Sequence, residues 1–116
     1  MNKAGKIWGS TVALFQKNNV EIHRIEIHKN TRCSKHKHLH KYNIFFVESG
    51  KILIREWKKD YDLIDETILN PGEMCEIIPG NYHEFNGLED SIVYEIYYVE
   101  LLSNDIFREN TGSLLD

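Results

Sequence analysis

Proline and cysteine are almost missing from this chain, with 2 of each among 116 residues, and glycine is held to 7. With 41% of residues apolar and 28% charged, that scarcity excludes a disordered or low-complexity polypeptide and any collagen-like repeat. Cys33 and Cys75 are too few for a disulfide-stapled miniprotein, and so apolar a chain needs no staple, so both are read as free thiols. Also missing is any apolar run near the roughly 18 residues that span a bilayer. The longest candidate, Ile7 to Phe15, is interrupted by Gly9, Ser10 and Thr11. Lys3 and Lys6 precede it as in a secretory leader, but no small-residue cleavage site follows before Lys17, Asn18 and Asn19. A cytoplasmic protein with no membrane partner is expected. Nor is there positive charge to spare: the formal net charge of -4 argues against a general electrostatic hold on nucleic acid.

What is present reads as one domain over residues 1–116, with a core from about 20 to 102, a short N-terminal strand region and a C-terminal tail. The apolar runs are short, rich in β-branched and aromatic residues, and separated by turn chemistry. Strands are predicted at Val20 to His28, Ile44 to Glu48, Lys51 to Lys58, Leu63 to Leu69, Met74 to Ile78, His83 to Asn86 and Ser91 to Leu102. Ser49-Gly50, Lys59-Asp60, Asn70-Pro71-Gly72, Pro79-Gly80-Asn81 and Gly87 to Asp90 supply the turns. This is the pattern of an all-β sandwich or barrel. Ser103 to Glu109 carries a capping residue and an early acid, which predict a short C-terminal helical turn.

The last predicted strand is apolar on both faces, so it belongs in the middle of a sheet. Its one interruption is Glu95, between Val93 and Tyr97 on its own face, and an unpaired carboxylate buried there would cost several kcal/mol. Glu95 therefore needs a partner, from Tyr82, Tyr97, an arginine or a lysine.

The densest chemistry is Cys33-Ser34-Lys35-His36-Lys37-His38-Leu39-His40-Lys41. On an extended backbone alternate residues share a face, so His36, His38 and His40 would point the same way, and imidazoles at that spacing can converge on one divalent metal. His23 and His28 fall on opposite faces of their strand and read as structural or surface residues. Lys29, Arg32, Lys35, Lys37 and Lys41 form a basic run that would draw an anion toward the histidines. Tyr82 and Tyr97 are candidate cavity-lining donors.

The histidines continue into Asn43-Ile44-Phe45-Phe46-Val47-Glu48-Ser49-Gly50, and further on comes Gly72-Glu73-Met74-Cys75-Glu76-Ile77-Ile78-Pro79-Gly80-Asn81-Tyr82-His83. These two stretches resemble the paired motifs of the cupin superfamily, and the resemblance covers about residues 20 to 102. His36 and His38 stand at the first motif's two histidines, Gly50 at its glycine and His83 at the second motif's histidine. Ile78 replaces a proline, and Asn43 stands where the family has a glutamate ligand. The resemblance implies a jelly-roll β-barrel, a double-stranded β-helix, with one divalent metal ion (Fe, Mn, Zn, Ni or Co) in its mouth.

An amide is a neutral and weaker donor than a carboxylate. The ligand set is therefore His36, His38 and His83 alone, or those three with His40 or Asn43, or with rescue by Glu95. Glu95 is also the candidate general base, with Tyr82 beside it as a catalytic residue. Among cupins the closest likeness is to small sugar-isomerase domains of the mannose-6-phosphate isomerase type, implying a small anionic or sugar-like substrate and isomerase or epimerase chemistry. Two other readings stand beside it: a three-histidine iron dioxygenase, and a non-enzymatic carbohydrate-binding or sensor cupin. A homodimer formed through an open edge strand is expected.

Overall fold

The computed structural model describes residues 3–58 and 64–99, with Leu114. Nine antiparallel strands form two layers: β1 (Lys3–Lys6), β2 (Gly9–Lys17), β3 (Val20–Ile27), β4 (Tyr42–Ser49), β5 (Ile52–Trp57), β6 (Ile64–Leu69), β7 (Met74–Ile77), β8 (Tyr82–Gly87) and β9 (Ser91–Tyr98). One sheet has the order β1-β2-β3-β9-β4-β7 and the other the order β6-β5-β8. This is the expected all-β jelly roll, with each predicted strand from Val20 onward present within a few residues. The predicted helical turn at Ser103 to Glu109 and the end of the last predicted strand beyond Val99 lie outside the described residues. Among the described residues no helix is long and apolar enough to cross a membrane.

The sheet begins earlier than the periodic pattern suggests. β1 and β2 form a hairpin, and β2 runs antiparallel along β3 from Gly9 opposite Ile27 to Lys17 opposite Val20, with a bulge at Leu14. Small and polar residues, Gly9, Ser10, Thr11 and Ala13, fill this strand, so it lacks the alternation that marks its neighbours.

Alternation sends one set of side chains between the sheets. Ile25, Ile27, Phe45, Val47 and Val93 from the larger sheet meet Ile52, Ile54, Leu69 and Phe85 from the smaller, all at 2% exposure or less. Each such side chain stabilises the fold by roughly 2 kcal/mol through burial. Gly50 closes the β4–β5 turn with φ 88°, and a Cβ there would lie 2.4 Å from the Asp90 carbonyl oxygen, so both the backbone and the close approach demand glycine. β9 sits between β3 and β4, as its two apolar faces require.

An irregular segment completes the smaller layer. Arg32 bridges to Asn86 and His36 to His83, so residues 32–36 run along β8 as a broken fourth strand. His36 and His83 exchange both backbone hydrogen bonds, His36 N–H to the His83 carbonyl at 3.1 Å and His83 N–H to the His36 carbonyl at 2.8 Å. That exchange places two motif histidines side by side before their side chains interact.

Candidate functional site

His36, His38 and His83 bring one ligand nitrogen each to within 4.8 Å of the others. Their positions are set from three directions. Besides the His36–His83 backbone pair, Gly80 N–H donates to the His38 carbonyl at 2.7 Å, tying the first histidine segment to the turn before β8. His36 Nδ1 lies 2.7 Å from the Ser34 carbonyl oxygen and His83 Nδ1 lies 3.1 Å from that of Asn81. A carbonyl can only accept, so Nδ1 carries the proton in both rings and Nε2 keeps its lone pair.

The Nε2 atoms of His38 and His83 are buried and have no hydrogen-bond partner. Orphaned polar atoms at such depth cost about 1–3 kcal/mol each and call for an explanation. Three imidazole nitrogens within 4.8 Å of one another fit a divalent cation, which would satisfy the two orphans together. Burial holds the His83 pKa down to about 4, against an opposing pull from the Asn81 carbonyl, with His36 and His38 adding lesser downward pulls. His38 is lowered for the same first reason, with His36 and Lys41 adding to it. Both rings are therefore neutral at pH 7, the state a metal ligand needs.

His83 is further anchored from behind. It lies opposite Glu56 in the β5–β8 ladder, and the Asn81 side-chain amide donates to Glu56 Oε2 at 2.8 Å while the Asn81 carbonyl accepts from His83. Asn81 is 3% exposed and connects the carboxylate to the imidazole.

His36 and His38 face a cavity of about 660 Å³, within the size range of small-molecule sites, and His83 lies beneath them. Glu95 opens onto the same cavity and is buried. Its expected partner is Tyr97, whose hydroxyl donates to Oε2. The Asn43 amide donates to the Ile44 carbonyl at 3.4 Å and adds only a small pull that favours the ionised carboxylate. Burial raises the Glu95 pKa, and Tyr97, His23, His36 and Asn43 oppose that rise. Tyr97 is itself pushed well above the ordinary phenol range, by burial and then by the Glu95 charge, and so stays protonated. Asn43 is fully buried, and its Oδ1 has no partner.

Not every expected residue joins the site. His40 is exposed, because the chain bends at Leu39 and His40 to enter β4, which ends the alternation that carries His36 and His38 inward. Tyr82 is 42% exposed and does not line the cavity. It is the strand neighbour of inward-facing His83 and so points the opposite way, beneath the Lys37 ammonium at 4.7 Å. The basic run divides for the same reason. Lys35 stacks on Trp57 at 4.1 Å on the outer surface, whereas Arg32 and Lys41 line the cavity.

Sequence reasoning underrated His23, which lies opposite Glu95 in the β3–β9 register and lines the cavity with Glu21. The signal was its parity with the inward-facing Ile25 and Ile27. The N-terminal hairpin contributes Lys6, Trp8 and Thr11 to the cavity wall, with the Trp8 ring edge-on to Phe85 at 4.9 Å. The cysteines are unpaired, and burial pushes both thiols up to about 12. Cys33, although it lines the cavity, is thus a packed thiol that accepts the Phe85 N–H and is a poor nucleophile.

No family model and no curated protein sequence matches this chain. Solved structures do. A structure described as KdgF from Halomonas sp. has a TM-score of 0.73 at 14% identity, over 87% of this chain and 90% of its own. The Cnp3 cupin domain of Schizosaccharomyces pombe has a TM-score of 0.71 at 14% identity, over 86% of this chain and 69% of its own. Oxalate decarboxylase from Bacillus subtilis has a TM-score of 0.77 at 9% identity, over 84% of this chain but only 27% of its own. The chain has the cupin jelly-roll fold, and at these identities the likeness carries the fold alone.

Proposed function

We propose that this cupin-fold domain is a metal-dependent enzyme of the isomerase or epimerase class, acting on a small anionic or sugar-like substrate. His36, His38 and His83 would hold one divalent cation. The observation that supports this most is the pair of buried, unpartnered Nε2 atoms of His38 and His83, in a triad with His36 whose ligand nitrogens lie within 4.8 Å of one another. When bound, the ion supplies Lewis acidity, polarising a carbonyl or hydroxyl oxygen of the substrate.

The remaining chemistry belongs to this chain's own side chains. Glu95 is the proton carrier: burial raises its pKa in the direction that suits a proton acceptor and donor, and the Tyr97 hydroxyl holds its orientation. Arg32 and Lys6 give the cavity wall the positive charge that receives a carboxylate or phosphate, while Lys41 is held at 3.6 Å by Glu21. The apolar side formed by Trp8 and Phe85 excludes water around the ligand's carbon skeleton. Asn43 acts here as a buried neighbour that favours the ionised Glu95, in place of a fourth ligand.

Protein purified without a histidine tag or chelator is expected to carry close to one equivalent of Fe, Mn, Zn, Ni or Co, measured by elemental analysis. It should also catalyse solvent-deuterium exchange into a sugar phosphate or sugar acid, followed by NMR across a panel of such compounds. Iron with oxygen consumption and no exchange would transfer the site to the three-histidine dioxygenase class, in keeping with the lack of a carboxylate in the triad. Ligand-dependent thermal stabilisation without metal or turnover would make it a binding or sensor cupin.

The Glu56–Asn81 support should register in the affinity for metal. Glu56→Ala releases the Asn81 turn that orients His83, and affinity measured by competition with a chelator is expected to fall by about 10- to 100-fold, with the fold intact by circular dichroism.

A further inference from the structure

The proton-handling groups of the cavity are not spread around it. The cavity lies between the two sheets, and β3 and β9 of the larger sheet put Glu21, His23, Glu95 and Tyr97 on one wall. The smaller layer and the N-terminal hairpin face them with Trp8, Arg32, Cys33, Ser34 and Phe85, besides the histidine triad. Two of these are apolar rings, the Cys33 thiol is pushed up to about 12, and a guanidinium donates but accepts nothing. With the triad set aside as ligands, every carboxylate and imidazole among the described residues that line the cavity belongs to the β3–β9 wall.

His23 and Glu95 are direct cross-strand partners. Such partners carry their side chains off the same face of a sheet, with Cβ atoms about 5 Å apart. Glu21 orients the imidazole: its Oε2 lies 3.4 Å from His23 Nε2, and its Oε1 lies 3.6 Å from the Lys41 ammonium. A carboxylate accepts, so Nε2 carries the proton and Nδ1 is the nitrogen left to take one up or give it away. The ring also meets that of Tyr97 edge to face at 5.7 Å, and the Tyr97 hydroxyl donates to Glu95. One tyrosine thus positions both groups.

We propose that His23 is a second catalytic residue beside Glu95, and that the pair moves a proton between adjacent carbons on one face of the substrate. The substrate is then a 2-hydroxy aldehyde and its ketone isomer, an aldose and a ketose, and not a pair of epimers. This rests on the reading of the site as a metal-dependent proton-transfer enzyme. Glu95 takes the proton from C2, the C–H electron pair becomes the C1=C2 bond, and the carbonyl pair moves onto O1, which receives a proton from protonated His23. The enediol next gives its O2 proton to His23, the C2=O2 bond forms, and the C1=C2 pair takes the proton back from Glu95 at C1. One hydrogen has passed from C2 to C1 and one from O2 to O1, and both residues end as they began. An epimerase would need a proton donor on the far side of the carbon, where among the described residues neither a carboxylate nor a free imidazole lies.

Aldose phosphates labelled with deuterium at C2 are the probes, incubated with the metal-loaded full chain in ordinary water and followed by NMR. The expected product is the ketose with part of the deuterium at C1, because a carboxylate as buried as Glu95 surrenders its label slowly to solvent. His23→Gln should lower ketose formation by about 100-fold or more, whereas loss of label from C2 falls much less and metal content is unchanged by elemental analysis. Glu21→Gln, which keeps the ring but frees it, should move the same ratio in the same direction by a smaller amount. A purely structural fault would lower both processes together. Apart from turnover, a phosphorylated aldonohydroxamate, a planar analogue of the enediol, should bind His23→Gln about tenfold more weakly than the wild type in calorimetry, with the matching sugar-alcohol phosphate bound equally by both. An aldose inverted at C2, a ketose with no label at C1, or an unchanged ratio in His23→Gln would overturn the proposal and leave the metal enzyme standing. Failure of every probe to exchange would overturn both.

Discussion

His83→Ala is expected to leave a folded protein that no longer holds its divalent metal, with affinity lowered by well over the roughly 100-fold seen when only a supporting residue is lost. Two of the three imidazoles would remain, neither able to replace a nitrogen from beneath the cavity. In the wild type, metal at 100 times its dissociation constant should stabilise the native state by about 2.7 kcal/mol, a rise in Tm on the order of 10 °C for a domain of this size. A thermal melt of His83→Ala should show no such rise. A variant still stabilised by metal to the same extent would remove His83 from the ligand set.

The metal-free protein makes the same residue visible by another route. The folded pKa near 4 lies below the value of about 6.5 that the unfolded chain presents. Between the two, the unfolded state binds the extra proton, so stability rises with pH across that window. The neutral ring's contribution is complete above about pH 6.5 and is lost as pH falls toward 4, with a full amplitude of up to about 3 kcal/mol. Urea titrations of chelated protein at pH 7 and pH 4.5 should differ less in His83→Ala than in the wild type. Protons and metal compete for the same nitrogen, so metal binding should weaken over the same window.

Glu95→Gln should raise stability while it removes proton transfer. The carboxylate's pKa is raised by burial, so its folded form holds a proton more tightly than the unfolded chain does, and ionisation becomes a cost as pH rises through the folded value. A neutral amide avoids that cost. Asn43, whose Oδ1 has no partner, can turn to accept from the new amide while Tyr97 still donates to its oxygen. The expected gain at pH 7 reads as a higher Tm for the variant than for the wild type in thermal melts. Metal content should be unchanged and exchange activity lost. Unchanged metal together with unchanged activity would end the base assignment. A lower Tm would mean that the ionised carboxylate supports the fold.

How far each part of this could be read in advance follows from backbone geometry. The strands from Val20 onward announce themselves, because Ile25, Ile27, Phe45, Val47 and Val93 alternate with outward residues and turn chemistry separates them. β2 does not, because its inward positions hold Gly9, Thr11 and Ala13, too small to make a pattern. His36 and His38 are legible from spacing and His83 through the resemblance to the second cupin motif, whereas His40 requires the backbone to stay extended for two more residues, and it bends instead. Tyr82 points outward because immediate neighbours in a strand face opposite ways, and it is adjacent to an inward histidine. The Glu56–Asn81 support depends on which strand lies beside β8, a long-range pairing that local pattern does not reveal.

The pairing of β3 with β9 and the bridge between His36 and His83 also bear on the order of events in folding. Site residues come from the N-terminal hairpin, the broken strand, β8 and β9, so few partially folded states can contain the site. Topologies dominated by such distant contacts fold slowly. An ion at the triad, whose ligands come from segments distant in sequence, would bind the folded chain and not the unfolded one, and so would add its binding free energy to the native state alone.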